Sequence, residues 1–186
     1  MMKISKMIEN TLITIAFLVF TFLISLIFLN YYESVKVVTP KIQENLLCSK
    51  IFTFIEYSNK RIPSTMVQTI TDAIILTVEP AEIPLVIGII CVESNFNPTL
   101  VSSKNARGLM QVRWSVWKQP LHDKLGILDQ FELHEATIGI QAGLLVLHTY
   151  MKRGDLTKAL YLYSGKSMQY PCKVLKSMVK FQTYKE

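Results

Sequence analysis

The sequence predicts an all-α protein, a helical domain preceded by a single membrane-crossing helix. Three observations lead there. Apolar residues recur at helical spacing in successive segments between Lys41 and Phe181. No segment alternates polar and apolar residues over strand length, and Thr11–Leu29 carries no charge at all. At 186 residues the chain has room for one compact domain and an appendage.

The appendage comes first. Thr11–Leu29, TLITIAFLVFTFLISLIFL, holds nineteen residues, and a helix needs roughly 20 to cross a bilayer core. A cleaved signal peptide would end in small residues, whereas this run ends in Phe28-Leu29-Asn30-Tyr31-Tyr32. The two tyrosines suit the membrane interface instead. A soluble core helix would show a polar face, and this one offers only Ser and Thr. The expectation is an uncleaved anchor over residues 1–32. Lys3 and Lys6 precede the span, and Lys36 and Lys41 follow it. That balance leans slightly towards a cytoplasmic N-terminus, with the remaining chain outside a single-pass cytoplasmic membrane anchor.

Residues 33–78 read as a linker and a helical extension. Glu33–Pro40 is the linker. From Lys41 to Lys60, Leu47, Ile51, Phe54 and Ile55 fall on one helical face. Pro63-Ser64-Thr65 is a stop followed by a candidate N-cap, and Met66–Val78 gives a second helix. Glu79-Pro80 breaks it and opens the third segment, residues 79–186.

Ile83–Val92 is almost wholly apolar, and periodicity alone fits a buried strand or a buried helix. Pro84 near the start, with Ala81-Glu82 as a first turn, favours a helix ending near Ser94. Asn95, Asn97 and Pro98 terminate it. A polar loop to Asn105 follows, then a short helix over Ala106–Val112. Trp114 and Trp117 either stack on a ligand or fill the core. His134–Tyr150 is helical, and Gly139 and Gly143, four apart, permit close approach of a neighbour. The expected neighbour is the Ile83–Val92 helix. Leu156–Tyr163 and Val174–Phe181 complete the helices.

The net charge is +6 and the sequence pI about 9.2. A basic body suits an acidic partner, but no long Lys/Arg run interleaved with aromatics points to nucleic acid. The three cysteines, Cys48, Cys91 and Cys172, show no CxxC spacing, and the histidines have no ligand spacing. No metal or cofactor is indicated. Cys48 and Cys172 could pair in an oxidising compartment, while Cys91 reads as a small core residue.

Glu93 is the one acidic residue between Ile83 and His122. Apolar neighbours and the negative end of a helix dipole both favour its protonated form. A carboxylic acid kept protonated near neutrality can give a proton to a leaving group. Taken alone, a helix-end Glu is better read as a solvated carboxylate.

Three blocks then appear in order. They are Glu93-Ser94-Asn95-Phe96-Asn97-Pro98, Ser102 with Ala106-Arg107-Gly108-Leu109-Met110-Gln111, and Ala159-Leu160-Tyr161-Leu162-Tyr163. They resemble the E-S-x-x-N-P, S-x-x-x-A-x-G-L-M-Q and A-L-x-x-Y-N-x-G motifs of the soluble lytic transglycosylase (SLT) family, a branch of the lysozyme-like fold. Ile140–Leu147 is similar to the family's N-I-x-x-G-x-x-Y-L stretch. The resemblance spans roughly Glu79 to Leu175. There are departures: Asn105 stands where many members have glycine, and Ser164 where the motif has asparagine. Lys166 takes the motif glycine's place with Gly165 one position early, and Gly139 and Val146 replace an asparagine and a tyrosine.

The resemblance implies a lysozyme-like catalytic domain acting on the glycan of peptidoglycan. It implies cleavage of the MurNAc-β-1,4-GlcNAc bond without water, leaving a 1,6-anhydro muramoyl product. General glycoside cleavage uses two carboxylates, whereas this family is understood to use one, here Glu93 as acid and then base. Asp123, Asp129, Glu132 and Glu135 could serve as a second acid only if the fold brings them back. Ser102 would position the substrate or Glu93. Met110 would pack on a sugar face and Gln111 hydrogen-bond in the cleft, and Tyr163 would bring its hydroxyl near Glu93. Read without the family, these are a loop serine, a core methionine and a core tyrosine. Partners would be peptidoglycan strands and the inner membrane, in wall growth, in a secretion or conjugation apparatus, or in a phage. Two other readings stand beside this one: a hydrolytic muramidase, and a non-catalytic wall-binding component of an envelope assembly.

Overall fold

A computed structural model describes residues 2–185, with side chains described for 19–30 and 41–185. The chain is mainly helical and divides into two units, Met1–Leu47 and Cys48–Glu186. From residue 2 onward the first unit is helical, within α1, Met2–Ser58. The stretch read as a linker, 33–40, is helical there rather than irregular. Among the described residues no helix is long and apolar enough to cross a membrane. The expected span Thr11–Leu29 falls in part on residues 11–18, which lie outside the described side chains.

The second unit contains the end of α1, then α2 (Ser64–Thr77) and α3 (Ile83–Glu93). A two-stranded hairpin, β1 (Ala106–Arg107) and β2 (Val112–Arg113), precedes α4 (Trp114–Leu125). A 3-10 helix, Gln130–His134, then leads to α5 (Ala136–Met151), α6 (Leu156–Tyr163) and α7 (Tyr170–Thr183). Residues 48–78 therefore pack in the same unit as residues 79–186. Pro63 rather than Ser64 is the N-cap of α2, and Ser64 Oγ instead donates to Glu56 Oε1 at 2.8 Å.

Helix α3 is the centre of this unit. Its residues are apolar on every face because every face is covered, and Ile83 and the whole run Leu85–Ile90 are buried. Burying each large aliphatic side chain stabilises the fold by about 1.5–3 kcal/mol. Its main partner is α7. At Gly88 an added Cβ would meet the Val174 carbonyl oxygen at 2.8 Å, so this contact requires glycine. Phe54 from α1 closes one end of the core, edge-on to Phe96, Phe181 and Tyr184 at centroid distances of 6.3, 5.2 and 5.4 Å.

Gly139 and Gly143 do not receive α3. An added Cβ at Gly139 would meet the Leu133 carbonyl oxygen at 2.7 Å, and one at Gly143 would overlap the Met110 side chain. The glycines of α5 thus make room for the 3-10 helix and the hairpin turn. The short helix expected over Ala106–Val112 is that hairpin, with Ala106 opposite Arg113 and Arg107 opposite Val112. Left-handed backbone at Asn105 (φ 56°), Gly108 (φ 77°) and Gln111 (φ 49°) rules out a helix here. Cys91 and Cys172 are free thiols, so the pairing of Cys172 with Cys48 is not formed.

Candidate active site

Glu93 is the last residue of α3, so its position follows from the most deeply buried helix of the unit. Burial raises its carboxyl from the ordinary 4.5 to about 7, and the nearby Tyr170 hydroxyl partly opposes the shift by favouring the charged form. No second carboxylate contributes to that shift.

The four other candidate acids are occupied elsewhere. Asp123 is exposed, bonded to His122 and Gln119, and the His122 contact lowers its pKa. Asp129 and Glu132 cap the 3-10 helix reciprocally: Asp129 Oδ1 accepts from Phe131 N, and Glu132 Oε1 from Asp129 N, each at 2.7 Å. Glu135 is the exposed N-cap of α5.

Two tyrosines border Glu93. Tyr170, at the start of α7, was not singled out from the sequence. Its hydroxyl is buried and completes no hydrogen bond of good geometry, yet it lies close enough to act on the carboxylate. Burial first, and the Glu93 charge second, push its phenol far up, so it remains a proton donor. Tyr163 stacks on Tyr170, ring centroids 6.3 Å apart. Its hydroxyl donates to the Met110 carbonyl oxygen at 2.7 Å. Burial, and then the Glu93 charge, raise its pKa as well, which places Glu93 within electrostatic reach of the hydroxyl.

The remaining motif residues build the frame around the acid. Ser94 Oγ donates to the Leu109 carbonyl oxygen at 2.8 Å, tying the residue after Glu93 to the hairpin turn. Ser102 Oγ accepts from Ala106 N at 3.0 Å and closes the loop entering β1. Gln111 Nε2 donates to the carbonyl oxygens of Leu100 and Gly108, both at 3.0 Å. The Met110 side chain is fully buried against Gly143, so it is a core residue, and only its carbonyl oxygen faces the tyrosine pair. Gly108 is required twice, by its positive φ and by the Leu133 carbonyl oxygen, which an added Cβ would overlap.

Outside the motifs, His134 links the first two blocks. Its Nδ1 lies 3.0 Å from the Pro98 carbonyl oxygen, and its Nε2 lies 3.2 Å from Arg107 Nη1. A carbonyl can only accept, so Nδ1 carries the proton and Nε2 accepts from Arg107. Trp114 and Trp117 pack partly buried on a second core of Val112, Leu121, Ile127, Leu133, Ala142 and Val146.

At the departures from the motif, Asn105 adopts the left-handed backbone a glycine would supply. Ser164 Oγ donates to the Tyr161 carbonyl oxygen at 2.9 Å and accepts from Ser167 N at 3.0 Å, so a serine closes this turn. Gly165 and Lys166 both take positive φ, 73° and 77°.

One sheltered carboxylic acid raised to about 7, a tyrosine hydroxyl acting on it and a cross-braced turn can carry out acid–base chemistry with a single proton-transferring group. Residues 78–167 match the transglycosylase SLT domain. No curated protein and no solved structure matched the chain. The match covers all three blocks and Glu93 itself, and a transglycosylase SLT domain over residues 78–167 is consistent with the lysozyme-like SLT family those blocks resemble.

Proposed function

We propose that the protein is a membrane-anchored peptidoglycan lytic transglycosylase. The SLT domain supports a peptidoglycan-cleaving transglycosylase function. The observation that carries the finer reading is the Glu93 carboxyl, pushed up to about 7 with no second carboxylate acting on it. Near neutrality such a group is available both as acid and as carboxylate.

In the proposed reaction Glu93 protonates the oxygen between MurNAc and GlcNAc, and the C1–O bond breaks. The resulting carboxylate then removes the proton from the C6 hydroxyl of the same muramoyl residue. That oxygen bonds to C1, closing a 1,6-anhydro ring and returning the proton to Glu93. No water is consumed and no second acid is needed, in contrast to the two-carboxylate schemes. Tyr170, a buried neutral phenol beside the carboxylate, supports the charged form between the two steps.

The anchor belongs to the same proposal. Nine of the eleven residues from Val19 to Leu29 are large hydrophobic side chains left exposed along α1. Ser25 Oγ donates to the Phe22 carbonyl oxygen at 2.9 Å, which satisfies that hydroxyl within the helix, as a lipid setting requires. On this reading residues 1–32 are the single-pass cytoplasmic membrane anchor, 33–78 the linker and extension, and 79–186 the catalytic part on the extracytoplasmic side.

Digestion of purified sacculi by the full chain in detergent, followed by product mass analysis, tests the reaction. The expected products are anhydro-muropeptides, one water lighter than muramidase products, with none formed by Glu93→Gln. Products carrying the added water would assign a hydrolase. Binding without turnover would assign a wall-binding component.

A further inference from the structure

A cavity of about 640 Å³ lies against the turn that follows Glu93. Ser94, Asn95 and Asn97 form one wall, and the loop between α1 and α2, with Lys60 and Arg61, forms the other. No carboxylate lines it. Lys60 and Arg61 are exposed, and among the described residues neither is held in an ion pair. The nearest acid in sequence, Glu56, accepts from Ser64 and lines a neighbouring cavity, which Lys60 also borders. Helix α2 begins at this loop with no acid in its own first turn, and the carboxylate at its start, Glu56, is turned to Ser64 and the neighbouring cavity.

The loop is fastened to the site. Asn59 Nδ2 donates to the Asn95 carbonyl oxygen at 2.7 Å, and Asn59 Oδ1 accepts from Arg61 N at 3.1 Å. The turn it meets is fixed in turn by left-handed backbone at Asn95 (φ 47°) and Phe96 (φ 64°). A cationic pocket is thereby held at the end of the catalytic helix by residues that precede the SLT match, which begins at 78.

We propose that this cavity is an anion subsite, holding a carboxylate on the lactyl-peptide substituent of the muramoyl residue, with Lys60 and Arg61 as its cationic contacts. The proposal rests on the peptidoglycan-cleaving reading of Glu93. The sugar rings and their N-acetyl groups are neutral, so the negative charge a glycan strand offers sits on its lactyl groups or on the stem peptides they carry. The guanidinium fork of Arg61 matches a carboxylate in shape as well as charge. The cavity wall starts at Ser94, one residue past Glu93, so the two belong to one turn of the chain.

The test uses the full chain in detergent with Glu93→Gln as background, so that binding is measured without turnover. Lys60→Gln/Arg61→Gln is compared with its parent on three glycans: strands with intact stems, strands stripped of stems to expose lactyl carboxylates, and strands whose carboxylates have been amidated. The expected result is binding weakened roughly 3- to 10-fold on carboxylate-bearing strands and unchanged on amidated ones. A loss confined to intact strands assigns the stem carboxylates, and a loss that persists on stripped strands assigns the lactyl carboxylate. Charge reversal to Glu at both positions should weaken binding further. Equal binding by variant and parent on all charged strands, or an equal loss on amidated strands, overturns the subsite. If the wild-type chain cleaves sacculi through Glu93 while the double variant binds like its parent, the subsite alone falls. If the wild-type chain neither binds nor cleaves sacculi, the reading beneath it falls.

Discussion

Replacing Glu93 by glutamine should stabilise the folded chain at mildly alkaline pH and leave its stability nearly unchanged in acid. The carboxyl moves from 4.5 to about 7 because the fold desolvates it, with Tyr170 holding the shift back. Each pKa unit corresponds to about 1.4 kcal/mol, so ionising Glu93 inside the fold costs about 3 kcal/mol. Between the two values the folded chain binds the proton more tightly than the unfolded chain does. The stability from protonated Glu93 is therefore fully present below 4.5 and is lost as the pH rises through about 7. Glutamine, close in shape to the protonated acid, cannot ionise and avoids that loss. Subtracting wild type from variant cancels the other titrating groups. Unfolding of both full-length chains in the same detergent should show a difference near zero at about pH 4 and about 3 kcal/mol near pH 8. For a unit of this size that is a rise in Tm of roughly 10 °C. A difference that does not change with pH, or a wild type more stable than the variant near pH 8, would refute the reasoning.

Three further outcomes follow from the same geometry. The kcat/KM on solubilised glycan should fall above about pH 7 as Glu93 loses its proton, and a profile flat through pH 9 would contradict this. Tyr170→Phe removes the hydroxyl that favours the charged carboxylate, so the alkaline limb should move to higher pH; an unmoved limb, or one at lower pH, would exclude this role. Tyr163→Phe leaves the Met110 carbonyl oxygen without its 2.7 Å partner, and equilibrium unfolding should show a loss of about 1–3 kcal/mol. A neutral result there would mean that water replaces the tyrosine.

The sequence made α2 and α5 legible because their buried faces follow the helical period, whereas α3, apolar on every face, needed Pro84 and a hydrophobic run to place Glu93 at its end. The hairpin was not legible. Its strands are two residues each, too short for alternation to register, and its path is set by left-handed residues such as Gly108 and Gln111. Helix α4 was hidden by Pro120 in its interior and is closed by Gly126 at φ 68°. Gly139 and Gly143 announced a close approach but could not name the partner, since a missing side chain carries no information about what fills its place. Tyr170 lies beyond the three blocks, and no local pattern marks it. Its role exists only because α7 packs along α3. Conversely, Ser102, Met110 and Gln111 sit in a recognisable motif, and the structure uses them to hold the turn. A motif records which residues are needed together, and framing a site requires particular residues as strictly as touching a substrate does.

Burial within the fold holds Glu93 as an acid near neutrality. Titration of the Glu93 side-chain carboxyl carbon by NMR in the folded chain measures this directly. The midpoint should fall at about 7, and one near 4.5, the value of an ordinary solvated carboxyl, would overturn the assignment.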